Sequence, residues 1–162
     1  MADPEALVRR ALDDLGADYE LMDCDPALAD TATFVEAYGV PAERSANTIL
    51  VSARRGPPRV AACVVLATTR LDVNGAVRRE LGVSKLSFAS PEQTKDATGM
   101  ELGGVAPFGL PHDVAVLVDA AVVALDWVIV GGGSRSVKVR LDPKVFGRAP
   151  ATHVVENLAR PA

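Results

Sequence analysis

The segment from residue 102 to residue 110 restricts the fold of this 162-residue chain more than any other part of it. It reads Leu-Gly-Gly-Val-Ala-Pro-Phe-Gly-Leu. This segment is too rich in glycine for a helix, and Pro107 makes a central strand unsuitable. Paired glycines ahead of a proline bend allow backbone N–H groups to approach a ligand closely. On residue type alone, the segment is either a tight connection between two elements or a binding loop.

A second glycine-rich segment, 131–133, directly follows the apolar run 127–130. Two such loops in a small domain favour a pocket whose walls are formed by the main chain. The second segment lacks the lysine of a Walker loop and the GxGxxG order of a dinucleotide loop. We therefore expect a binding pocket without nucleotide hydrolysis.

The rest of the chain predicts a mixture of helices and strands. Apolar spacing and capping signals predict helices at 4–15, 31–38, 73–81, 91–98 and 153–158. Apolar or alternating runs predict strands at 19–22, 47–53, 60–66, 114–118, 127–130 and 136–141, the last with one buried face. A turn at 54–58 joins two of these strands into a hairpin. Because the elements do not alternate as regular βαβ units, we expect an α+β fold with a mixed, mainly antiparallel, curved sheet.

Composition and charge exclude several classes of protein. The chain is short enough for a single domain over residues 1–162, and its net charge of −4 argues against a broad nucleic-acid surface, although not against a local basic patch. Cys24 and Cys63 lack metal-ligand spacing, and Asp119 and Asp126 interrupt the longest apolar stretch. The N-terminus shows no signal-peptide pattern. We therefore expect a cytoplasmic protein with no membrane span, no metal and no other cofactor.

Few side chains in the sequence suit nucleophilic catalysis. The chain has two histidines, and His112 either lines a pocket near the 102–110 segment or sits in a solvated turn, whereas His153 is expected at the surface. Cys63 lies in the middle of an apolar strand, which favours a packed thiol. These features predict chemistry that needs no strong side-chain nucleophile.

Several short motifs occur in an order and spacing typical of one family. They are Asp72-Val73-Asn74, Arg78-Arg79, Leu81-Gly82, Phe88-Ala89-Ser90, Thr98-Gly99, the loop Gly103-Gly104-Val105-Ala106-Pro107-Phe108-Gly109, Val118-Asp119 and Gly132-Gly133-Ser134-Arg135. Together they resemble the YbaK / prolyl-tRNA-synthetase-associated editing domains over nearly the whole chain. The resemblance implies a mixed sheet curled toward a barrel and surrounded by helices. It also implies hydrolysis of wrongly charged aminoacyl-tRNA.

The resemblance also implies site residues. The backbone N–H groups of Gly103 and Gly104 would stabilise the developing oxyanion, and one such donor is typically worth roughly 3 kcal/mol. Family members usually carry a lysine in the strand after the second helix, where this chain has Asn47, which brings no charge. Asp119 either supports the pocket wall or caps a helix. The substrate-binding positions implied are Thr48, Arg70, Pro107, Phe108, Gly109, Asp119, Gly132, Gly133 and Arg135.

Three functions follow from this pattern. The first is a freestanding, metal-independent trans-editing hydrolase that deacylates mischarged aminoacyl-tRNA, with Asn47→Lys predicted to raise its activity. The second is a non-catalytic binder of aminoacyl-tRNA or of a nucleotide-like ligand, and a third is an accessory domain for an aminoacyl-tRNA synthetase. For the first two functions the expected partner is a tRNA acceptor end, and for the third it is an aminoacyl-tRNA synthetase. Basic residues at 54–59, 78–79 and 135–140 either face solvent or contact the phosphates of the acceptor end.

Overall fold

The helices of the protein are short, and local sequence signals define their ends. The computed structural model describes residues 3–53 and 59–162. Within them lie α1 (Pro4–Asp14), α2 (Thr31–Tyr38), α3 (Arg78–Leu81), α4 (Pro91–Thr98) and α5 (Ala120–Val123). At the start of α4, the Ser90 and Gln93 side chains form the capping box that the sequence predicts. None of the helices in these described ranges is long and apolar enough to cross a membrane.

The strands form three sheets. The strands are β1 (Tyr19–Asp23), β2 (Ala46–Ala53), β3 (Val60–Leu66), β4 (Thr69–Leu71), β5 (Leu86–Phe88), β6 (Ala115–Asp119), β7 (Val128–Gly131), β8 (Val137–Leu141), β9 (Thr152–Val155) and β10 (Ala159–Pro161). The largest sheet has the order β5-β2-β3-β6-β9, and the others are β1-β8-β7 and β10-β4. Only the β3–β6 and β6–β9 pairs among the described strands are parallel. The expected α+β fold with a mixed, mainly antiparallel sheet is confirmed, but the sheets formed by residues 3–53 and 59–162 do not close into a barrel.

The central strand β3 separates two apolar cores. Ala62, Val64 and Leu66 pack into the larger core with α1. Residues 61, 63 and 65 point to the opposite face and pack with α3. Alternate side chains of a strand face opposite sides, so a strand that is buried on both faces reads as a continuous apolar run. The 60–66 run therefore predicts this strand well, although the predicted turn at 54–58 lies outside the described residues.

The C-terminal segment differs from the sequence prediction. The helix expected at 153–158 is wrong, because residues Thr152–Val155 form β9 and pair in parallel with β6. β-branched Val154 and Val155 suit an extended backbone. Asn157 then adopts a positive φ of 58°, and the chain turns into β10. The short strands β4, β5 and β10 were also absent from the predicted set.

The sheet formed by β1, β8 and β7 is covered by α2 and the segment before it. Phe34 of α2 packs with Ala29 and Ile129 in a third apolar cluster. On β8, Val139 and Leu141 enter the larger core, whereas Lys138 points to the opposite face. The expectation that this polar face is exposed is wrong at Lys138, which is only 5% exposed because α2 covers it.

Candidate functional site

A pocket of about 320 Å³ opens between α2, β2 and the 102–110 segment. We call it the Lys138 pocket. It brings together Asn47 and Thr48 of β2, Gly103 of the first glycine segment, Gly131 of the second and Lys138 of β8. Lys138 lies directly opposite Gly131 in the β7–β8 ladder. The pocket thus contains one glycine from each loop, the asparagine at the family lysine position, and a cation from another strand.

Lys138 is the only charged side chain buried in the described parts of the chain apart from Asp119. Its ammonium donates to the carbonyl oxygen of Ala29 at 2.6 Å and to that of Gly103 at 2.7 Å. Within residues 3–53 and 59–162 it forms no ion pair with a carboxylate. A lysine ammonium has three N–H donors, so one remains for a ligand. The Lys138 pocket therefore holds a positive charge that no described carboxylate pairs with.

Burial lowers the pKa of Lys138 from its ordinary value of 10.5. Arg135 acts in the same direction, whereas Cys24 and Asp30 raise the pKa, each by less than burial lowers it. Removing a charged ammonium from water is unfavourable unless other groups solvate it. Here the two carbonyl dipoles provide that solvation in part.

The polar groups of β2 are arranged by α2. The first residue of that helix, Thr31, donates its hydroxyl to Asn47 Oδ1. This bond orients the Asn47 amide and leaves its NH₂ group as a donor. The neighbouring Thr48 hydroxyl is buried and has no hydrogen-bond partner among the described residues. Buried polar atoms are nearly always paired, so the Thr48 hydroxyl is a candidate hydrogen-bonding group for a molecule in the pocket.

The two glycine segments pack directly against each other. The N–H of Gly133 donates to the carbonyl oxygen of Gly104 at 2.8 Å. A Cβ on Gly104 would lie 2.6 Å from the Ser134 carbonyl oxygen, and one on Gly131 would overlap the Val105 carbonyl. The glycines are therefore required for close backbone contact between the loops.

Of the two backbone N–H groups expected to act as oxyanion donors, that of Gly104 already forms a hydrogen bond within the protein. The N–H of Gly104 donates to the Glu101 carbonyl oxygen at 2.9 Å, so it is engaged within its own loop. Gly103 has a φ of +86°, and its carbonyl accepts the hydrogen bond from Lys138. In this conformation Gly103 contributes to the pocket through its carbonyl oxygen.

Three of the predicted substrate-binding residues lie away from the Lys138 pocket. Pro107, Phe108 and Gly109 line a separate, mainly apolar cleft of about 470 Å³ together with His112. Phe108 is buried and stacks on Phe146 with ring centroids 5.1 Å apart. This half of the loop therefore belongs mainly to the core.

The second glycine loop contributes little to the pocket beyond Gly131. A Cβ on Gly132 would lie 2.7 Å from Val137 Cγ1, and one on Gly133 would lie 2.9 Å from the Pro4 backbone. Neither Gly132 nor Gly133 lines the pocket. Their place is in the packing that holds the two loops together.

The other predicted charged residues are separate from the pocket or at its rim. Asp119 is buried and accepts from the Ala121 N–H at the start of α5, so it is a helix cap. Arg70 is exposed on β4 and lines none of the described cavities. Arg135 lies at the rim, where it donates to Asp30 at 3.0 Å and to the Leu102 carbonyl at 2.7 Å. Arg135 thereby ties the segment before α2 to the first glycine loop.

Lys138 lines the pocket, but the sequence analysis included it only among the basic residues at 135–140 and not among the site residues. It alternates with Val137 and Val139, which is the pattern of a strand with one polar, solvated face. A lysine between two β-branched residues gives no local sign that a helix covers it. No group of three or more potential metal-ligating His, Cys, Asp or Glu side chains occurs in the described part of the chain.

The fold is that of a small α+β protein with a polar pocket that contains a buried lysine. Its family follows from sequence comparison, since the family model of the aminoacyl-tRNA editing domain matches residues 25–148. The chain belongs to the aminoacyl-tRNA editing-domain family.

The chain is also similar to a curated protein and to solved structures. The uncharacterized protein YwhH of Bacillus subtilis (strain 168) is 34% identical over 109 residues, which are 67% of this chain and 67% of that protein. The crystal structure of the hypothetical protein APE2540 has a TM-score of 0.82 at 23% identity, and the match covers 93% of this chain and 97% of that one. A candidate trans-editing enzyme for prolyl tRNA synthetase has a TM-score of 0.79 at 20% identity, over 100% and 99% of the two chains. At these identities, the two structures show the fold alone.

Proposed function

We propose that this protein is a freestanding, metal-independent hydrolase that deacylates mischarged aminoacyl-tRNA, and that the Lys138 pocket is its site. The observation that carries the proposal is the buried ammonium of Lys138, which forms no ion pair with a described residue and shares one pocket with Asn47 and the first glycine loop. The family supports an editing function, and the candidate trans-editing enzyme with the same fold agrees with it.

Lys138 has the chemistry that ester hydrolysis requires. Water adds to the ester carbonyl carbon, negative charge develops on the carbonyl oxygen, and the bond to the ribose oxygen then breaks. The free N–H of the Lys138 ammonium would donate to the developing oxyanion. A preorganised donor in a water-excluded site is worth roughly 3 kcal/mol, or about a hundredfold in rate. The proton that the attacking water loses is taken up by the departing ribose oxygen, and the products are the free amino acid and uncharged tRNA.

The other pocket residues would orient the reactants. The Asn47 NH₂ group is a second, neutral donor, and Thr48 would bond through its unpaired hydroxyl to a water or to the terminal ribose. Gly103 would act indirectly, because its carbonyl holds the ammonium. We propose that Arg135 fixes the rim. Gly104, Gly132 and Gly133 would keep the loops in register.

The size of the pocket favours a small amino acid. A volume of about 320 Å³ lies at the lower end of the range for ligand pockets, roughly 300–1,000 Å³. Part of that space must hold the terminal ribose. A large aromatic amino acid on the same ester would therefore fit poorly.

The test is hydrolysis of a panel of mischarged tRNAs with and without a chelator. We expect turnover of at least one small aminoacyl-tRNA that the chelator does not reduce. Lys138→Met should lower kcat by about a hundredfold, whereas Lys144→Met, at an exposed lysine, should not change it. Chelator-sensitive activity that zinc restores would contradict the metal-independent mechanism.

A non-catalytic binder is the second candidate. The observation that favours it is the neutral Asn47 at the family lysine position, because a site that has lost its charge on β2 can retain binding without turnover. This candidate predicts binding of aminoacyl-tRNA, or of a nucleotide-like ligand, with no hydrolysis across the whole panel. It also predicts that Lys138→Met changes the affinity for this ligand, with no hydrolysis to be lost.

A further inference from the structure

A cluster of two arginines and a tryptophan lies near the Lys138 pocket. The guanidinium carbons of Arg44 and Arg140 lie 4.7 Å and 4.1 Å from the centroid of the Trp127 ring. Arg44 also donates to the Trp127 carbonyl and pairs with Asp126. We call these three residues, Arg44, Trp127 and Arg140, the arginine–tryptophan cluster.

Each residue of the cluster stands on a segment that leads into the pocket. Arg44 precedes Asn47 by three residues, and Arg140 follows Lys138 by two on the same face of β8. Trp127 is followed by β7, whose last residue, Gly131, lines the pocket. At about 3.3 Å per extended residue, the cluster lies roughly 7–13 Å along these segments from the pocket lining.

The cluster carries a positive charge that is available to a partner. Arg140 is exposed and forms no ion pair among the described residues, although Glu20 lies opposite it on β1. The Arg44 guanidinium beside Asp126 lowers the pKa of that carboxyl, so this pair stays charged. In a chain whose net charge is −4, Arg140 therefore adds an exposed cation outside the pocket, and Lys138 provides a buried one in its lining.

Planar cations fixed on an aromatic ring suit a single-stranded nucleic acid. Guanidinium groups bind phosphates through two parallel hydrogen bonds, and unpaired bases stack on arginine planes and aromatic rings. We propose that the arginine–tryptophan cluster binds the single-stranded 3′ end of an RNA whose terminal nucleotide enters the Lys138 pocket. This inference rests on the proposed function of the pocket and adds the surface that holds the nucleic acid.

The protein contains its own reporter for this surface, because Trp127 is the only tryptophan in the sequence. The experiment titrates the protein with a hairpin RNA that carries a single-stranded 3′ overhang and follows the Trp127 fluorescence. We expect the overhang RNA to quench the emission, and a blunt hairpin of the same stem to bind at least tenfold more weakly. Higher salt should weaken the binding.

Substitution of Arg140 tests the surface directly. Arg140→Gln should weaken overhang binding at least tenfold, whereas Arg9→Gln on the exposed face of α1 should not change it. Arg140→Lys should lie between the two, because a lysine keeps the charge but loses the planar pair of donors. Equal binding of blunt and overhang hairpins, or wild-type affinity of Arg140→Gln, would overturn the proposal. If Arg140→Gln weakens binding to an aminoacyl-tRNA synthetase and leaves RNA binding unchanged, the RNA proposal is overturned and the cluster is a surface for a protein partner.

Activity separates this inference from the proposed function. On aminoacyl-tRNA, Arg140→Gln should raise KM about tenfold at unchanged kcat. On an aminoacyl-adenosine ester, which lacks the RNA strand, the same variant should behave like the parent. If neither substrate is hydrolysed and the overhang RNA still binds through Arg140, the deacylase function fails while the RNA surface is supported.

Discussion

The ammonium nitrogen of Lys138 lies 2.7 Å from the carbonyl oxygen of Gly103, and a second bond of 2.6 Å joins it to the Ala29 carbonyl. A single side chain from β8 therefore connects the first glycine loop to the segment before α2. The same two bonds hold the ammonium at the pocket wall. The position of the loop and the position of the charge depend on each other.

The lowered pKa of Lys138 predicts an alkaline limit to activity. If the protonated ammonium stabilises the oxyanion, kcat/KM falls as the pH rises through a pKa below the ordinary value of 10.5. Cys24, Asp30 and Arg135 also face this group, and they modulate the effect of burial. The measurement is the pH profile of deacylation, corrected for spontaneous ester hydrolysis. Lys138→Arg, which does not titrate in this range, should retain part of the activity and lose the alkaline limb.

The stability of the protein should change in the opposite direction over the same pH window. Between the lowered pKa in the folded state and the ordinary value in the unfolded state, the unfolded chain binds more protons at this group. The contribution of Lys138 to the free energy of unfolding therefore rises with pH in that window. The pH dependence of denaturant unfolding should show this rise in the parent and not in Lys138→Met. An identical slope in both proteins would contradict the shifted pKa.

The effect of Asn47→Lys changes sign once Lys138 is known to share the pocket. The sequence alone predicts a gain, because a lysine adds the charge expected on β2. With Lys138 present, two ammonium groups about 4–8 Å apart repel by roughly 2–4 kcal/mol at an effective dielectric constant of 20. We therefore expect Asn47→Lys to lower kcat/KM at least tenfold.

A double variant tests whether the two positions are alternatives for one charge. In the Lys138→Met background, Asn47→Lys should restore part of the lost activity, so that the two substitutions couple strongly. The measurement is kcat/KM for both single variants and the double variant. Higher activity of Asn47→Lys alone would show that Lys138 does not supply the charge.

The elements with a complete local signal could be predicted from the sequence. The Ser90 capping box fixes the start of α4, and the continuous apolar run of β3 marks a strand buried on both faces. Both signals act over a few neighbouring residues. Helix 153–158 was wrong because the pairing that defines β9 comes from β6, more than thirty residues earlier in the chain. Tertiary pairing outweighs weak helical spacing in such a short segment.

The candidate site could be predicted only in part. Asn47, Thr48 and Gly103 were singled out and lie in one pocket. Lys138 was not predicted as a pocket residue. Its burial depends on the packing of α2 over β8, and these two elements are distant from each other in the sequence. The engagement of the Gly104 N–H is likewise a feature of three-dimensional loop geometry, which residue type does not encode.

Cys63 should be unreactive in the folded protein. Burial raises the pKa of its thiol to about 12, so roughly one molecule in ten thousand carries the thiolate at pH 8. We expect iodoacetamide to label Cys63 only after unfolding, as followed by mass spectrometry on native and denatured samples. Rapid labelling of native protein at this residue would contradict its burial and reopen a thiol mechanism.

The last prediction concerns Gly104, whose backbone N–H the sequence analysis expects to act as an oxyanion donor. In the structure, a Cβ there would lie 2.6 Å and 2.7 Å from the Ser134 carbonyl oxygen and Cα. These are backbone atoms that cannot rotate aside, and Gly104 is not among the glycines with positive φ. The cost of Gly104→Ala is therefore steric and falls on the contact between the two glycine loops. We expect a loss of roughly 1–3 kcal/mol in the free energy of unfolding.

Gly147→Ala is the matched control, because a Cβ on Gly147 would meet no atom within 4 Å and its φ is not positive. That variant should be neutral or more stable by about 0.4–1 kcal/mol, since alanine restricts the unfolded chain. For a chain of this length, each kcal/mol shifts Tm by about 2–4 °C, so thermal unfolding distinguishes the two variants. Deacylation is measured on the same samples. A Gly104→Ala protein that melts with the parent but is inactive would assign the Gly104 backbone to catalysis, whereas lost stability with residual activity in the folded fraction would assign it to loop packing.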